Sequence, residues 1–182
     1  MQFFFDERKA AQAAAWLLRR YGEPMESARL VKLLYLADRQ SLIDTGYTVT
    51  GDTLVVTDSG PALSNVLELV ASTACASDTH WSTYVERIGE DQLTHTSADQ
   101  CGALSEYERK LLDGLCDRYG SLPESKLRAL TSELPEWSKP SNGATPIDPT
   151  VILRDAGFSD KAIDEVVGLV ASIYSFRRRV RR

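Results

Sequence analysis

Leu30–Val66 reads LVKLLYLADRQSLIDTGYTVTGDTLVVTDSGPALSNV, and its two changes of character decide the fold. From Leu30 to Ala37 only Lys32 interrupts the apolar residues, which predicts a helix buried on most of its circumference. Lys32 then needs either a route to water along its stem or a carboxylate partner. Asp44-Thr45-Gly46 ends this helix, with Gly46 suited to the left-handed position just past a helix C-terminus. Tyr47–Thr57 is rich in Tyr, Thr and Val and carries Gly51-Asp52 at its first bend, so it predicts extended chain or a short hairpin. Ser59-Gly60-Pro61 reads as a tight turn, with Pro61 opening a new helix that runs to about Ser72.

Outward from this stretch the pattern stays mostly helical. Asp6 is the expected N-cap of a first helix to about Tyr21, whose Ala-rich middle allows a neighbouring helix to approach closely. The helix built around Leu30–Ala37 starts near Glu26 and forms the expected centre of the core. Trp81–Ile88 and Gln92–Thr96, around Gly89-Glu90-Asp91, predict a second hairpin. Ser105-Glu106-Tyr107-Glu108 fits a capping box and opens a helix with Leu111, Leu112, Leu115 and Tyr119 on its buried side. Pro123-Glu124 opens another, to about Glu133. Residues 135–149 hold four of the seven prolines and read as an ordered loop or a linker. Val151–Asp155 and a final helix, Asp160–Arg178 with Ser159 as its cap, complete the chain. The expected fold class is mainly α (α+β): a single compact helical domain over residues 1–182 with one or two short β-hairpins.

The 182 residues are 43% hydrophobic and 26% charged, ordinary for a soluble globular protein. No apolar run approaches the ~20 residues that span a bilayer. Met1–Phe5 is apolar and is followed at once by Asp6-Glu7-Arg8-Lys9, the reverse of a signal peptide, so a cytoplasmic location is expected. Three cysteines, Cys75, Cys101 and Cys116, form no C-x-x-C pair and are expected to be reduced thiols, Cys116 in the core. The net charge of −5 hides an asymmetry: without Arg177, Arg178, Arg179, Arg181 and Arg182 the body holds 16 basic against 26 acidic residues, a balance of −10. Such a body repels phosphate backbones and favours basic protein partners or none.

The motifs that carry common chemistries are missing. There is no G-x-S-x-G, no phosphate-binding G-x-x-x-x-G-K-[ST] and no G-x-G-x-x-G. Val56-Thr57-Asp58-Ser59-Gly60 resembles the aspartic-protease triplet, but that chemistry requires two carboxylates sharing a proton, and no second copy exists. A turn explains it better: Asp58 and Ser59 bond the local backbone and Gly60 supplies positive φ. His80 and His95 flank the second expected hairpin, where Asp91 or Cys75 lies near in sequence, yet no metal-ligand spacing joins them and solvated side chains are the simpler reading. No cofactor and no metal are expected.

Two features raise nucleic acid as an alternative. Residues 105–133 form a helix, a Gly-containing turn and a helix, with Lys126 and Arg128 early in the second, as in a helix-turn-helix DNA- or RNA-binding regulator. Glu106, Glu108, Asp113, Asp117, Glu124 and Glu133 oppose that reading, because duplex binding needs a basic face. The Arg-rich tail has three readings: a solvated end that complements the last helix's negative pole, a contact for an acidic partner or nucleic acid, or a strap docked on the acidic body.

Lys32-Leu33-Leu34-Tyr35-Leu36-Ala37-Asp38, then Thr50-Gly51-Asp52, then Gly60-Pro61-Ala62-Leu63-Ser64, together resemble the Panacea-domain antitoxins, a family that includes the SocA-like and the phage-associated GepA-like proteins. Further matches lie at Leu104–Leu112, Tyr119-Gly120 and Leu130–Trp137, so the resemblance spans roughly residues 10–137. Ala62-Leu63 departs from the family, where Pro or Val is expected. The resemblance implies a non-enzymatic antitoxin of a type II toxin–antitoxin pair, which binds and neutralises a cognate protein toxin encoded nearby. The expected contact is the β excursion after the central helix together with that helix's solvent side: Asp38, Arg39, Tyr47, Thr50, Asp52 and Thr57. A structural cap over the core is the competing reading of the same excursion.

Overall fold

Asp6 opens the first helix, α1 (Glu7–Tyr21), by accepting a hydrogen bond from the Lys9 backbone N–H. Ala10, Ala11, Ala13, Ala14 and Ala15 are all buried, and the small faces they form let α1 lie within one layer of its neighbours. In the computed structural model the described residues are 1–22, 24–72, 80–98, 102–138 and 143–180. Cys75, Cys101, Ser141, Asn142, Arg181 and Arg182 fall outside them.

A two-residue strand β1 (Met25–Glu26) leads into the central helix α2 (Ser27–Thr45), whose Leu30, Leu33, Leu34, Tyr35 and Ala37 have no exposed surface. Gly46 follows in the left-handed conformation, its N–H on the Leu42 carbonyl. The expected helix end and the expected core both stand.

The chain that follows departs from expectation in one respect. Residues 47–53 form bends, and the hairpin is made of β2 (Leu54–Thr57) and β3 (Gly60–Leu63), with Asp58-Ser59 as its two-residue turn. Pro61 therefore pairs with Val56 inside a strand, and the helix begins only at α3 (Ser64–Ala71). Pro61 is tolerated because β3 is an edge, in the order β3-β2-β6. The third strand, β6 (Thr145–Pro146), comes from the Pro-rich segment expected to be loop or linker, and it pairs with Val55 and Val56.

A short helix α4 (His80–Tyr84) takes the first half of the segment Trp81–Ile88 expected to be the first strand of the second hairpin, and β4 (Val85–Ile88) and β5 (Gln92–His95) form the hairpin. β5 also pairs with β1, giving a second three-stranded sheet in the order β1-β5-β4. The helices α5 (Glu106–Tyr119), α6 (Glu124–Ser132), α7 (Pro149–Asp155) and α8 (Asp160–Val180) finish the fold. The capping box at the start of α5 is present in full: Ser105 Oγ accepts from the Glu108 N–H, and the Glu108 carboxylate accepts from the Ser105 N–H. One hydrophobic cluster joins α1, α2, α5, both sheets, α7 and the start of α8, and Cys116 belongs to it. The fold is mainly α with a small antiparallel β component, as expected.

Candidate functional site

The central helix α2 is apolar enough to be buried all round, yet it carries Arg29, Lys32, Tyr35, Asp38 and Arg39 into or against the interior. Buried polar groups survive only where each is bonded, and these five fasten α2 to other parts of the chain, Tyr35 and Arg39 sharing one partner. Arg29 donates to the Gly120 carbonyl (2.8 Å) and the Leu122 carbonyl (2.6 Å), so it closes the C-terminal end of α5, and it pairs with Glu26 at 3.1 Å. Tyr35 Oη donates to Glu136 Oε1 at 2.6 Å. Arg39 Nε donates to the same oxygen at 2.7 Å, and Arg39 Nη2 reaches Asp155 of α7 at 3.2 Å. The Glu136 side chain is fully buried, and burial together with that carboxylate holds the Tyr35 phenol far above its ordinary range.

Lys32 takes neither expected route. Its Nζ donates to the Pro61 carbonyl at 2.9 Å, an oxygen of edge strand β3, and no carboxylate among the described residues pairs with it. Gly60 makes the approach feasible. Its φ of +103° suits glycine, and a Cβ there would stand 2.9 Å from Lys32 Nζ. Beside the amine lies a cavity of about 60 Å³ lined by Ala28, Ser59, Glu124, Leu127 and Arg128. Burial, helped by the nearby Arg128 guanidinium and opposed by Glu124, brings the Lys32 pKa down to about 8.

Asp38 governs the second joint. Its carboxylate accepts from the Thr50 N–H at 2.9 Å and from the Thr50 hydroxyl, while Thr50 Oγ1 accepts from the Asp52 N–H at 3.1 Å. Asp52 Oδ1 in turn accepts from Asn65 N (3.0 Å) and Asn65 Nδ2 (2.7 Å), and Oδ2 accepts from Val66 N at 2.9 Å. Leu63 stands at the N-cap of α3 and offers no side-chain acceptor, so Asp52 caps that helix from outside. Between them Gly51 has φ +72°, and a Cβ would collide with the Phe4 carbonyl at 1.9 Å. Thr50-Gly51-Asp52 thus ties α2, α3 and the N-terminal segment together, the last through Asp6 N–H on the Thr50 carbonyl. Burial pushes the Asp38 pKa up to about 7 against the opposing Thr50 hydrogen bonds.

The six expected contact residues therefore separate. Asp38, Thr50 and Asp52 are buried at 0%, 0% and 1% exposure, which corrects the expectation that Asp38 lies on the solvent side of α2 and that the excursion projects Thr50 and Asp52 outward: their oxygens are occupied by backbone, hydroxyl and amide donors. Arg39 is half-buried in the Glu136–Asp155 network. Tyr47 is half-exposed, with its ring edge-on to Phe3 at 5.2 Å between centroids. Thr57 is half-exposed at the tip of the β2–β3 hairpin, donating to the Gly60 carbonyl at 2.8 Å. Asp58-Ser59 is a turn and Gly60 has positive φ, as expected, but the side chain that bonds the local backbone is Thr57, which also accepts from the Ser59 N–H, rather than Asp58 or Ser59, and Pro61 lies in a strand.

Glu136 is the important residue that sequence reasoning passed over. Its signal was a lone acidic residue between Pro135 and Trp137, with two polar apolar-helix positions, Tyr35 and Arg39, a turn apart on α2. Only the fold brings 35 and 136 together.

Several basic residues of the α5–α6 pair have other partners, while Lys126 is exposed and makes no ion pair among the described residues. Arg128 donates to the Asp58 carbonyl at 3.1 Å, Lys110 pairs with Glu106, and the acidic Asp113 and Asp117 of α5 meet Arg20 of α1. His80 is exposed, and His95 Nδ1 lies 2.8 Å from the Thr96 carbonyl. Among the described residues no group of three or more His, Cys, Asp or Glu side chains is arranged to hold a metal ion. No helix among them is long and apolar enough to cross a membrane.

The model of the SocA-like antitoxin, Panacea domain, matches residues 30–138, from the start of the buried α2 stretch to just past Glu136. The chain belongs to that family. Lys32, Tyr35, Asp38, Thr50, Asp52 and Glu136 lie inside the matched segment, whereas Arg29, Asp155, α1, α7 and α8 lie outside it. Membership supplies an antitoxin-type role with a protein partner. No curated protein and no solved structure matches the chain.

Proposed function

We propose that this protein is the antitoxin of a type II pair, acting in the cytoplasm without catalysis by binding a cognate protein toxin directly. Family membership over residues 30–138 carries the reading. The geometry supports it, because the polar residues that carry the family resemblance are consumed by internal bonds and leave a rigid scaffold rather than an assembled reactive centre. The contact surface is proposed at the exposed sides of Arg39, Tyr47 and Thr57, with Asp38, Thr50 and Asp52 holding the intervening chain in shape from within. The occupant is a basic toxin, by complementarity with a body whose balance without its five C-terminal arginines is −10.

Co-expression with the neighbouring reading frame tests this. The expected result is rescue of growth and a complex that survives purification. Tyr47→Ala combined with Thr57→Arg should abolish rescue while the circular dichroism and melting curve stay unchanged. Full rescue by that folded double variant would move the interface elsewhere. A steeply salt-dependent affinity for duplex DNA, with no toxin in the neighbourhood, would favour the regulator instead.

A further inference from the structure

Helix α8 carries apolar side chains on two sides. Ile163 and Val170 are buried against the body, and Tyr174 stacks on Phe4 at 4.3 Å. On the opposite side Leu169 is 56% and Phe176 is 66% exposed, the two largest apolar exposures among the described residues. They are seven residues apart, two helical turns, with the half-buried Ile173 between them, so they form one continuous stripe. Along one edge of that stripe, also at sevenfold spacing, stand Glu165, Ser172 and Arg179, all exposed. Neither Glu165 nor Arg179 has an ion-pair partner among the described residues.

This pattern is complementary to itself. In an antiparallel pair of helices related by a two-fold axis, like edges face one another, and residues equally spaced from the axis meet. An axis through Ser172 sets Glu165 of each helix against Arg179 of the other. It also sends Leu169 and Phe176 of each stripe into the gaps of its mate, closing the two apolar faces. The spacing of the acid, the small residue and the base is what a self-pairing seam requires; a stripe serving an unrelated partner needs no such symmetry.

We propose that α8 is a homodimerisation helix, pairing antiparallel with α8 of a second copy about an axis at Ser172. The seam is one helix face, smaller than the area of a tight obligate interface, so the dimer is reversible and depends on concentration. It stands apart from the toxin contact proposed above, which lies inside the family-matched segment, so either can fail without the other.

Sedimentation velocity of the full chain over a concentration series is the test. The expected result is a shift from 20.2 kDa toward twice that mass as concentration rises. Leu169→Glu and Phe176→Glu should each raise the dimer dissociation constant at least tenfold, with unchanged circular dichroism. Glu165→Arg and Arg179→Glu should each weaken the dimer, and the double reversal should restore it to within a fewfold of the parent. A chain that stays monomeric at every concentration would overturn the proposal, as would a dimer indifferent to Leu169→Glu. A double reversal no better than its single variants would overturn the antiparallel register.

Discussion

Helices α2 and α8 are built on opposite plans. α2 carries charged and hydroxyl side chains into the interior and gives each of them a partner on another element; α8 keeps its charges in water and leaves Leu169 and Phe176 there as well. The first plan stakes stability on geometry. A buried charge whose partner is removed costs more than an exposed pair ever contributes. The second plan leaves stability almost untouched and stores its free energy in a surface that water covers poorly. In this fold the family-matched segment has the inward plan, and the outward plan lies beyond it.

The inward plan breaks most severely at Glu136. Glu136→Ala removes the acceptor of both Tyr35 Oη and Arg39 Nε and leaves a guanidinium half-buried beside a hydroxyl. A loss of about 3–5 kcal/mol is expected in urea unfolding, and Glu136→Gln, which keeps one acceptor oxygen, should lose clearly less. Leu34→Ala provides the apolar yardstick. Leu34 has no exposed surface, so about 2–5 kcal/mol is expected, by the same measurement. If Glu136→Ala proved milder than Leu34→Ala, the polar joints of α2 would be accessories to ordinary packing.

Asp52 tests whether a loop residue caps a helix at a distance. Asp52→Ala withdraws the acceptor from the first N–H groups of α3 and should cost about 2 kcal/mol, with amide exchange rising at Asn65 and Val66 before the rest of the helix. Protection unchanged at those two amides would show that α3 needs no cap.

Much of this is legible in the sequence alone. The run Leu30–Ala37, the Gly46 stop, the Ser105–Glu108 capping box and the final amphipathic helix each rest on local periodicity or local hydrogen bonding, and they stand where expected. Gly60-Pro61 misled because Pro61 satisfies two local rules at once: it suits a first helical turn and it suits an edge strand. The strand rule applied because β3 pairs with β2 along its whole length, and β2 takes its other neighbour, β6, from a distant Pro-rich segment that local pattern leaves as loop. Asp38 and Asp52 misled for a related reason. A carboxylate at the end of a polar helix turn or in a polar excursion reads as exposed, and nothing local reveals that the lone pairs of Asp38 are filled by Thr50 and those of Asp52 by Asn65 and Val66.

Asp38 adds a dependence on pH that an exposed carboxylate would lack. Its folded pKa of about 7 lies above the ordinary value of 3.8, so the folded state holds a proton that the unfolded chain releases. Its contribution to stability is therefore full below the unfolded value and is lost as pH rises through the folded one. Between roughly pH 4 and 7 the slope is at most about 1.4 kcal/mol per pH unit. Asp38→Asn reproduces the protonated side chain, and subtracting its profile from the parent's isolates this slope. A difference flat across that window would mean that Asp38 stays ionised in the fold.

The smallest effect belongs to α8, and its smallness is informative. Phe176→Ser removes a side chain that is two-thirds in water in the single chain, so it opens no cavity and should change stability by less than about 0.5 kcal/mol in dilute protein. Val170, on the buried side of the same helix, is the control, and Val170→Ala should cost on the order of 1–2 kcal/mol. The two variants also respond differently to concentration. A dimer held by the Leu169–Phe176 stripe makes the melting temperature rise with protein concentration, because mass action favours the species that binds itself. Phe176→Ser should remove that rise and leave the dilute-limit melting temperature in place. Val170→Ala should lower every melting temperature in the series and keep the rise. Should Phe176→Ser destabilise the dilute chain as much as Val170→Ala does, the stripe would be part of the protein's own core, and the contrast between the two helices would collapse.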